Sequence, residues 1–451
     1  MSCSPGITVL AMPLFGRKLP EETTEVGPRF EPLPDPPEPG DDGLRTMHDH
    51  RRYVLSCVAE LPPFRQQILD VVGLSVCEDI VSPINLPRFD NSAMDGYAVR
   101  AEDVALARLD LPVVLPVVGE VAAGQSAAHR LSPGTAIKIM TGAPVPRAAD
   151  AIIPYEHTDR GKDSVRIYSP SERGVHIRRI GEDVESGSKL YSAGDRLGPR
   201  DVGLLAGIGL DKVLVRPRPR VVVIATGSEL VDPGLALAEE QQIYDSNSYL
   251  LAAACKAAGA QVFRVGKVGD DPDVVKRVIH DQLIRADLIL TTGGVSQGDY
   301  DVVKAVMPQI GACDFAQVAM QPGRPQGFGL IGEDRTPMIM VPGNPVSAFV
   351  SFEAFVRPVI RKLMGVRPYI RTAVKCQTTH AMTSIPGRIQ FARGIVSYSR
   401  NGARQVELAG GHGSHLLGDL ARSNALVILP KDAEFVPAGE ELDVWLLDET
   451  A

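Results

Sequence analysis

Hydrophobic and polar positions along this chain fall into blocks of different period. From Thr46 the apolar residues Tyr53, Val54, Cys57, Val58 and Leu61 recur every three to four positions, which predicts an amphipathic helix ended by Pro62-Pro63. A second short helix is predicted over 63–72. Between 84 and 183 the apolar runs become short and β-branched (111–121, 136–140, 151–155) and are punctuated by Gly and Pro, which predicts a compact β-rich unit. From 218 to 365 the pattern alternates. Apolar runs at 221–225, 261–265, 287–290 and 338–341 are separated by helical periodicity at 246–258, 272–285, 302–307 and 346–364. That order predicts a parallel sheet with helices on both faces. Asp271 and Pro272 read as N-cap and first helical residue, and Asp245 to Asn247 as the cap of the 246–258 helix. Beyond Pro368 strand-like runs return as far as Val444, forming a second small β unit.

Composition narrows this picture. At 451 residues the chain has length for about three domains. Hydrophobic residues at 44% and charged residues at 23% are globular values, which exclude a wholly disordered or fibrous chain. The exception is the start: residues 1–45 hold nine prolines and too little apolar surface to offset their ordering entropy, so a disordered arm is predicted there. A net charge of −8 argues against a nucleic-acid or anionic-membrane binder, yet leaves room for a small anion held by a few arginines. No uncharged stretch reads as a membrane span or a signal peptide. The six cysteines show no CxxC spacing, so zinc and disulfide frameworks are not indicated and a cytoplasmic, reduced protein is expected.

Candidate chemistry gathers at the strand ends of 218–365, because open α/β sheets bind ligands outside the carboxyl ends of their strands. One strand runs into Thr226-Gly227-Ser228-Glu229, a second leads on to Asp270-Asp271, and a third enters Thr292-Gly293-Gly294-Val295-Ser296, with Asp299 and Asp301 beyond. A fourth ends in Pro342-Gly343-Asn344-Pro345. Gly293 and Gly294 allow a sharp turn and close approach of a phosphate to backbone N–H groups. Glu229, Asp270, Asp299 and Asp301 would share one rim if the loops converge. Two carboxylates about 4 Å apart repel by roughly 4 kcal/mol at an effective dielectric of 20, so either their pKa values rise or a cation sits between them. Oxygen-only ligands beside a phosphate favour Mg²⁺. The polar strings 91–99, 141–146 and 178–183 are equally readable as surface turns or as site loops.

Six segments in order carry a resemblance: FDNSAMDGYAV at 89–99, TGAPVP at 141–146, GED at 181–183, TGSEL at 226–230, TGGVS at 292–296 and PGNPVS at 342–347, followed by Gly411-His412-Gly413-Ser414-His415. Together they resemble the molybdopterin molybdenumtransferases, the MoeA-type enzymes that include the E domains of gephyrin. The match runs from about Thr46 to near the C-terminus. It implies an α/β multidomain fold: a three-layer α/β/α molybdopterin-binding domain at 218–365, a β-rich inserted domain at 86–185, an elongated linking and dimerisation domain from 46–85 and 186–217, and a small C-terminal β-barrel at 366–451.

The resemblance also implies roles. Asp95 and Asp183 match functional acids of the inserted domain, and Thr141 and Arg178 match polar residues near a homodimer cleft. Glu229, Asp270 and Asp301 match rim acids, while Pro342 and Pro345 match the loop shaping the pterin pocket. Arg393 and Ser414 match groups lent by the barrel. The implied reaction joins molybdate to adenylylated molybdopterin with Mg²⁺-dependent release of AMP, with a molybdopterin adenylyltransferase as possible partner. Several relatives are expected to carry lysine where this chain has Gln317 and Gln321; glutamine carries no charge, so lower anion affinity is expected unless Arg324 or Arg388 substitutes. An ATP-dependent molybdopterin adenylyltransferase and a catalytically weak scaffold are the competing readings.

Overall fold

The computed structural model describes residues 30–124, 130–294 and 302–448. Six strands form the central sheet, in the order Gln261–Val268, Arg220–Thr226, Leu288–Thr292, Thr336–Val341, Pro325–Ile331, Gly311–Gln317. The first four are parallel, Pro325–Ile331 runs antiparallel to both its neighbours, and the edge strand Gly311–Gln317 therefore runs the same way as the first four. In the second strand Val221 and Val223 pack towards Leu251, Cys255, Phe352 and Val356, while Val222 and Ile224 pack towards Val275, Ile279, Val303 and Met307. A strand covered on both faces is apolar at every position, which is why its sequence lacks alternation. The expected three layers are therefore present. The last two strands are an addition: Gly311, Gly327 and Gly329 dilute their strand pattern. A Cβ on Gly329 would crowd the Ala312 carbonyl oxygen at 2.9 Å as well as the Met307 terminal methyl.

Arg220–Thr226 has the second strand of the domain on one side and the third on the other, so the chain reverses direction across the sheet at this point. Crevices at such reversals are where ligands sit. The helix expected over 346–364 is built as Pro345–Ser351, a π segment Phe352–Val356, and Arg357–Leu363. Pro358 has no N–H for the regular ladder, which accounts for the local widening.

Two corrections concern the first segment. Residues 63–72 are not a helix: Phe64–Gln67 is a strand antiparallel to Lys212–Val215, followed by a single 3₁₀ turn Ile68–Asp70. Its partner lies far along the chain, where local periodicity cannot register it. The arm is also ordered further back than expected. Arg335 donates to the Glu31 carbonyl at 2.8 Å, Tyr53 to Pro34 at 3.2 Å and Arg45 to Pro37 at 2.9 Å. Extended proline-rich backbone offers free carbonyls at little entropic cost, and these side chains use them.

Ile80–Val81 pairs with Lys189–Tyr191, so the chain leaves and re-enters the linking segment through short ladders. Between them lies a five-stranded sheet ordered Ala151–Pro154, Gly96–Val99, Ala136–Ile139, Val113–Val121, Ser164–Ile167. At the other end Ile389–Tyr398, Arg404–Leu408, Val374–Thr378, Glu441–Leu446 and Ala425–Leu429 pair in sequence, and the last closes onto the first. The result is a five-stranded barrel. Met320–Gln321, from the sheet domain, adds in parallel to its longest strand. Among the described residues no helix is long and apolar enough to cross a membrane.

Candidate functional site

The crevice at the reversal point is closed by backbone packing. Gly293 (φ +92°) and Gly294 (φ +71°) both occupy the left-handed region. A Cβ on Gly293 would approach the Thr226 carbonyl oxygen to 2.9 Å, and one on Gly294 would approach Val303 to 2.9 Å. Glycine is needed at both on two counts. The Gly293 N–H donates to the Val341 carbonyl at 3.2 Å, and Thr292 Oγ1 donates to the Pro342 carbonyl at 3.2 Å. Asn247 Nδ2 donates to Thr292 Oγ1 at 3.1 Å and to the Gly343 carbonyl at 2.5 Å. The Thr226, Gly293 and Pro342-Gly343 turns thus share one rim. Pro345 opens the following helix, and exposed Asn344 is its N-cap residue without a side-chain capping bond.

Two of the four rim acids are described. Ser228 donates to Asp270 Oδ2 through its N–H at 3.0 Å and its hydroxyl at 2.6 Å, tying two strand-end loops together. The neighbouring Glu229 is exposed, its carboxylate folded against Gly227. Asp271 caps its helix by accepting from the N–H groups of Asp273 and Val274. Ser296, Asp299 and Asp301 lie outside the described residues, as does any convergence that depends on them. Among the described residues no group of three or more His, Cys, Asp or Glu is placed to hold a metal.

The barrel meets the same crevice. The Val346 N–H, one residue past Pro345, donates to the Ser414 carbonyl at 3.0 Å. Arg393, 5% exposed, donates through Nη1 to Gly413 O at 2.9 Å and through Nη2 to Gly411 O, while its Nε is buried without a partner. Burial pushes its pKa down, opposed by the charge of Asp419. Arg393 therefore shapes the 411–413 loop, with only Nε uncommitted. Beside it lies a cavity of about 20 Å³ lined by Gln321, Pro322, Gln390, Arg393 and Gly410–His412, room for about one water. Of the two glutamines, Gln321 faces this cavity. Gln317 sits on the edge strand opposite Pro325, and the Arg324 carbonyl accepts from Val318 while its Nε is buried unpaired.

In the inserted domain the structure joins two of the expected residues. Thr141 donates to Asp95 Oδ1 through its N–H at 2.7 Å and its hydroxyl at 2.8 Å, holding that carboxyl below the ordinary range. Arg178 lies on a short strand opposite Asn91, and the Asp183 N–H donates to the Leu86 carbonyl at 3.0 Å. All four side chains are exposed.

Of the expected cap 245–247, Asp245 accepts from the N–H and hydroxyl of Ser248, Ser246 is the N-cap residue without a side-chain bond, and Asn247 is the first helical residue. A polar residue at the first helical position, two after Asp245, was the available signal. The Asn247 side chain, not needed for capping, fastens the rim from the start of this helix.

Comparison with known proteins covers nearly the whole described chain. Family models match residues 45–209 (MoeA N-terminal region, domains I and II), 222–362 (probable molybdopterin binding domain) and 375–447 (MoeA C-terminal region, domain IV). Molybdopterin molybdenumtransferase 2 of Mycobacterium tuberculosis is 44% identical over 408 residues, covering 89% of this chain and 99% of its own. The Haemophilus influenzae molybdopterin molybdenumtransferase is 35% identical over 369 residues, covering 81% and 89%. The crystal structure of a molybdopterin biosynthesis MoeA protein from Pyrococcus horikoshii superposes with a TM-score of 0.74 at 31% identity, covering 90% of this chain and 99% of that one.

Proposed function

The chain belongs to the MoeA family, and we propose that it acts as a molybdopterin molybdenumtransferase in molybdenum cofactor biosynthesis, joining molybdate to adenylylated molybdopterin with release of AMP. The observation that carries this reading is the bond from Val346 N–H to Ser414 O. It sets the barrel's Arg393-held loop against the Pro342–Pro345 turn, so that an oxyanion and a pterin phosphate can occupy one crevice.

The two substrates are both anions, and the residues divide the task of holding them. Gly293 and Gly294 carry no side chain at the strand end, which allows a phosphate close approach to the backbone there, although the Gly293 N–H itself is committed to Val341. Thr292, Asn247 and Gly343 fix the opposite wall. Gln321, Arg393 Nε and the 411–413 backbone form the oxyanion side, which must open beyond its present size to admit a tetrahedral ion. The donor set fits Mg²⁺: Glu229 and Asp270 would be oxygen ligands on loops that the Ser228–Asp270 bond ties together, and this ion commonly takes one or two carboxylates together with substrate phosphates. Bound there, Mg²⁺ would neutralise the pyrophosphate charge. Asp301 is proposed as a further ligand on the family resemblance.

The protein is proposed to act as a homodimer. Phe64, Leu69 and Val81 of the linking segment and Ile243 and Tyr244 near the crevice are exposed apolar side chains in search of cover. Asp95, Thr141, Arg178 and Asp183 would then face a partner's crevice, and light scattering reads the mass directly.

The test is purified protein incubated with adenylylated molybdopterin, Mg²⁺ and varied molybdate. Molybdate-stimulated release of AMP is expected. Adenylylation of free molybdopterin by ATP in its place would support the adenylyltransferase reading.

A further inference from the structure

The proline-rich arm has no part in this chemistry, yet its last residue is joined to the wall of the oxyanion cavity. The Arg45 N–H donates to the Gln317 carbonyl at 2.8 Å, and the Arg45 carbonyl accepts from the Ala319 N–H at 2.8 Å. Arg45 thereby adds a parallel rung opposite Val318, at the open edge of the six-stranded sheet. Its guanidinium grips the Asp314 carboxylate at 2.6 and 3.2 Å, with the two side chains only 8% and 12% exposed. Nε reaches the Pro37 carbonyl at 2.9 Å, and Nη1 meets His50 Nδ1 at 3.1 Å. One side chain therefore joins the arm, the first helix and the edge strand, while its backbone holds the loop that follows.

That loop leads directly to the cavity. Val318 N–H donates to the Arg324 carbonyl at 2.7 Å, Met320 and Gln321 pair with Ile389 and Gln390 of the barrel, and Gln321 and Pro322 line the space beside Arg393. With room for about one water, entry of a larger oxyanion depends on where this wall stands. The pterin side is fastened separately, through Asn247, Thr292 and Gly343. A buried, bidentate ion pair makes a rigid anchor, because moving either partner leaves a charge uncompensated.

We propose that Arg45 is a positioning residue for oxyanion binding, setting the Gln317–Arg324 loop through its backbone rung and its grip on Asp314, so that docking of the arm is felt at the cavity. The inference rests on the reading of the Gln321–Arg393 cavity as the oxyanion subsite.

The experiment uses the full chain carrying Arg45→Lys, Asp314→Asn or both. AMP release is followed against molybdate and, separately, against adenylylated molybdopterin, and molybdate binding is measured calorimetrically without pterin. Arg45→Lys keeps the charge but loses the two-pronged grip. Half-saturating molybdate should rise about tenfold, the scale of one lost charged hydrogen bond. Half-saturating pterin, and kcat at saturating molybdate, should stay within about twofold, because the pterin wall is held independently. Asp314→Asn should reproduce the shift, and the double variant should be no worse than the more severe single one. If Arg45→Lys does not fold, isosteric Asp314→Asn carries the test alone. An equal shift for both substrates, unchanged molybdate saturation, or additive effects in the double variant would overturn the role of Arg45. A wild-type protein that binds molybdate but releases no AMP would sink the transferase reading and leave the calorimetric comparison to judge Arg45. Wild-type protein that binds no molybdate would remove the subsite and the inference together.

Discussion

Asn247 reaches across the crevice to Gly343: its side-chain amide donates to the glycine carbonyl at 2.5 Å. The same nitrogen contacts Thr292 Oγ1 at 3.1 Å, and the other amide atom, Oδ1, is buried without a partner. One side chain at the start of the Asn247–Ala257 helix thus fixes the relative position of two turns that leave neighbouring parallel strands.

Replacing Asn247 with Ala removes both bonds, at about 1 kcal/mol of net stabilisation each, and leaves the Gly343 carbonyl without its donor. The fold should survive, since its cores do not include this residue. AMP release should fall at least tenfold in kcat/KM, because a turn displaced by an ångström can cost two orders of magnitude. Asn247→Asp should be worse than Ala, as it sets a carboxylate against a carbonyl oxygen. Steady-state kinetics beside a thermal melt checks this, and wild-type kcat/KM in the Ala variant would show that the rim does not need the tie.

Most of the sheet was legible because strands buried on both faces announce themselves as unbroken apolar runs, as at Val221–Ile224. The strand Phe64–Gln67 was not, because its register is set by Lys212–Val215 far along the chain. The Gly311–Gln317 and Pro325–Ile331 pair was hidden for a different reason: its glycines suit close backbone approach, as at Gly311, where a Cβ would run into the Leu330 carbonyl, rather than strand propensity. At the site, motif glycines were readable through the backbone conformations they permit. Asn247, Arg45 and Asp314 were not, because each acts on a segment that only folding brings alongside.

His50 gives the protein an acid-sensitive joint. Burial, aided by the Arg45 charge and opposed by Asp314, lowers its pKa from 6.5 to about 4. The ring stays neutral in the fold, accepts from Arg45 at Nδ1 and packs edge-on against Phe355 at 5.0 Å. As pH falls below 6.5 the unfolded chain takes up this proton first, so stability is lost down to about pH 4 and the His50 contribution is constant below that. The slope is at most about 1.4 kcal/mol per pH unit for one proton. His50→Gln should flatten this part of the stability profile between pH 6.5 and 4 in urea titrations. An unchanged slope would place the acid sensitivity elsewhere.

Asp95 and Asn247 should complement each other across subunits if the inserted domain serves the partner's crevice. Asp95→Asn keeps the acceptor for the Thr141 hydroxyl and should leave the fold intact while abolishing turnover. Mixed and re-equilibrated with Asn247→Ala dimers, it should yield mixed dimers with one intact site. About a quarter of wild-type activity is then expected from random pairing of two equally abundant subunits. Recovery of none would mean that the two residues act within one protomer, or that Asp95 has no part in turnover.

Gln321 and Gln317 separate by position. Gln321 lines the cavity beside Arg393, and Gln317 stands on the edge strand opposite Pro325. Gln321→Lys should therefore tighten molybdate binding by about tenfold, or ~1.4 kcal/mol, through a second positive charge. The same charge faces the buried Arg393 guanidinium when no anion is bound, so the free variant should melt lower than wild type. Added molybdate should recover the difference, because a ligand that binds only the folded state stabilises it. Gln317→Lys should do little of either. Calorimetric titration with molybdate and melts with and without the ion read both effects, and equal responses at the two positions would mean that the oxyanion does not enter at the Arg393 side.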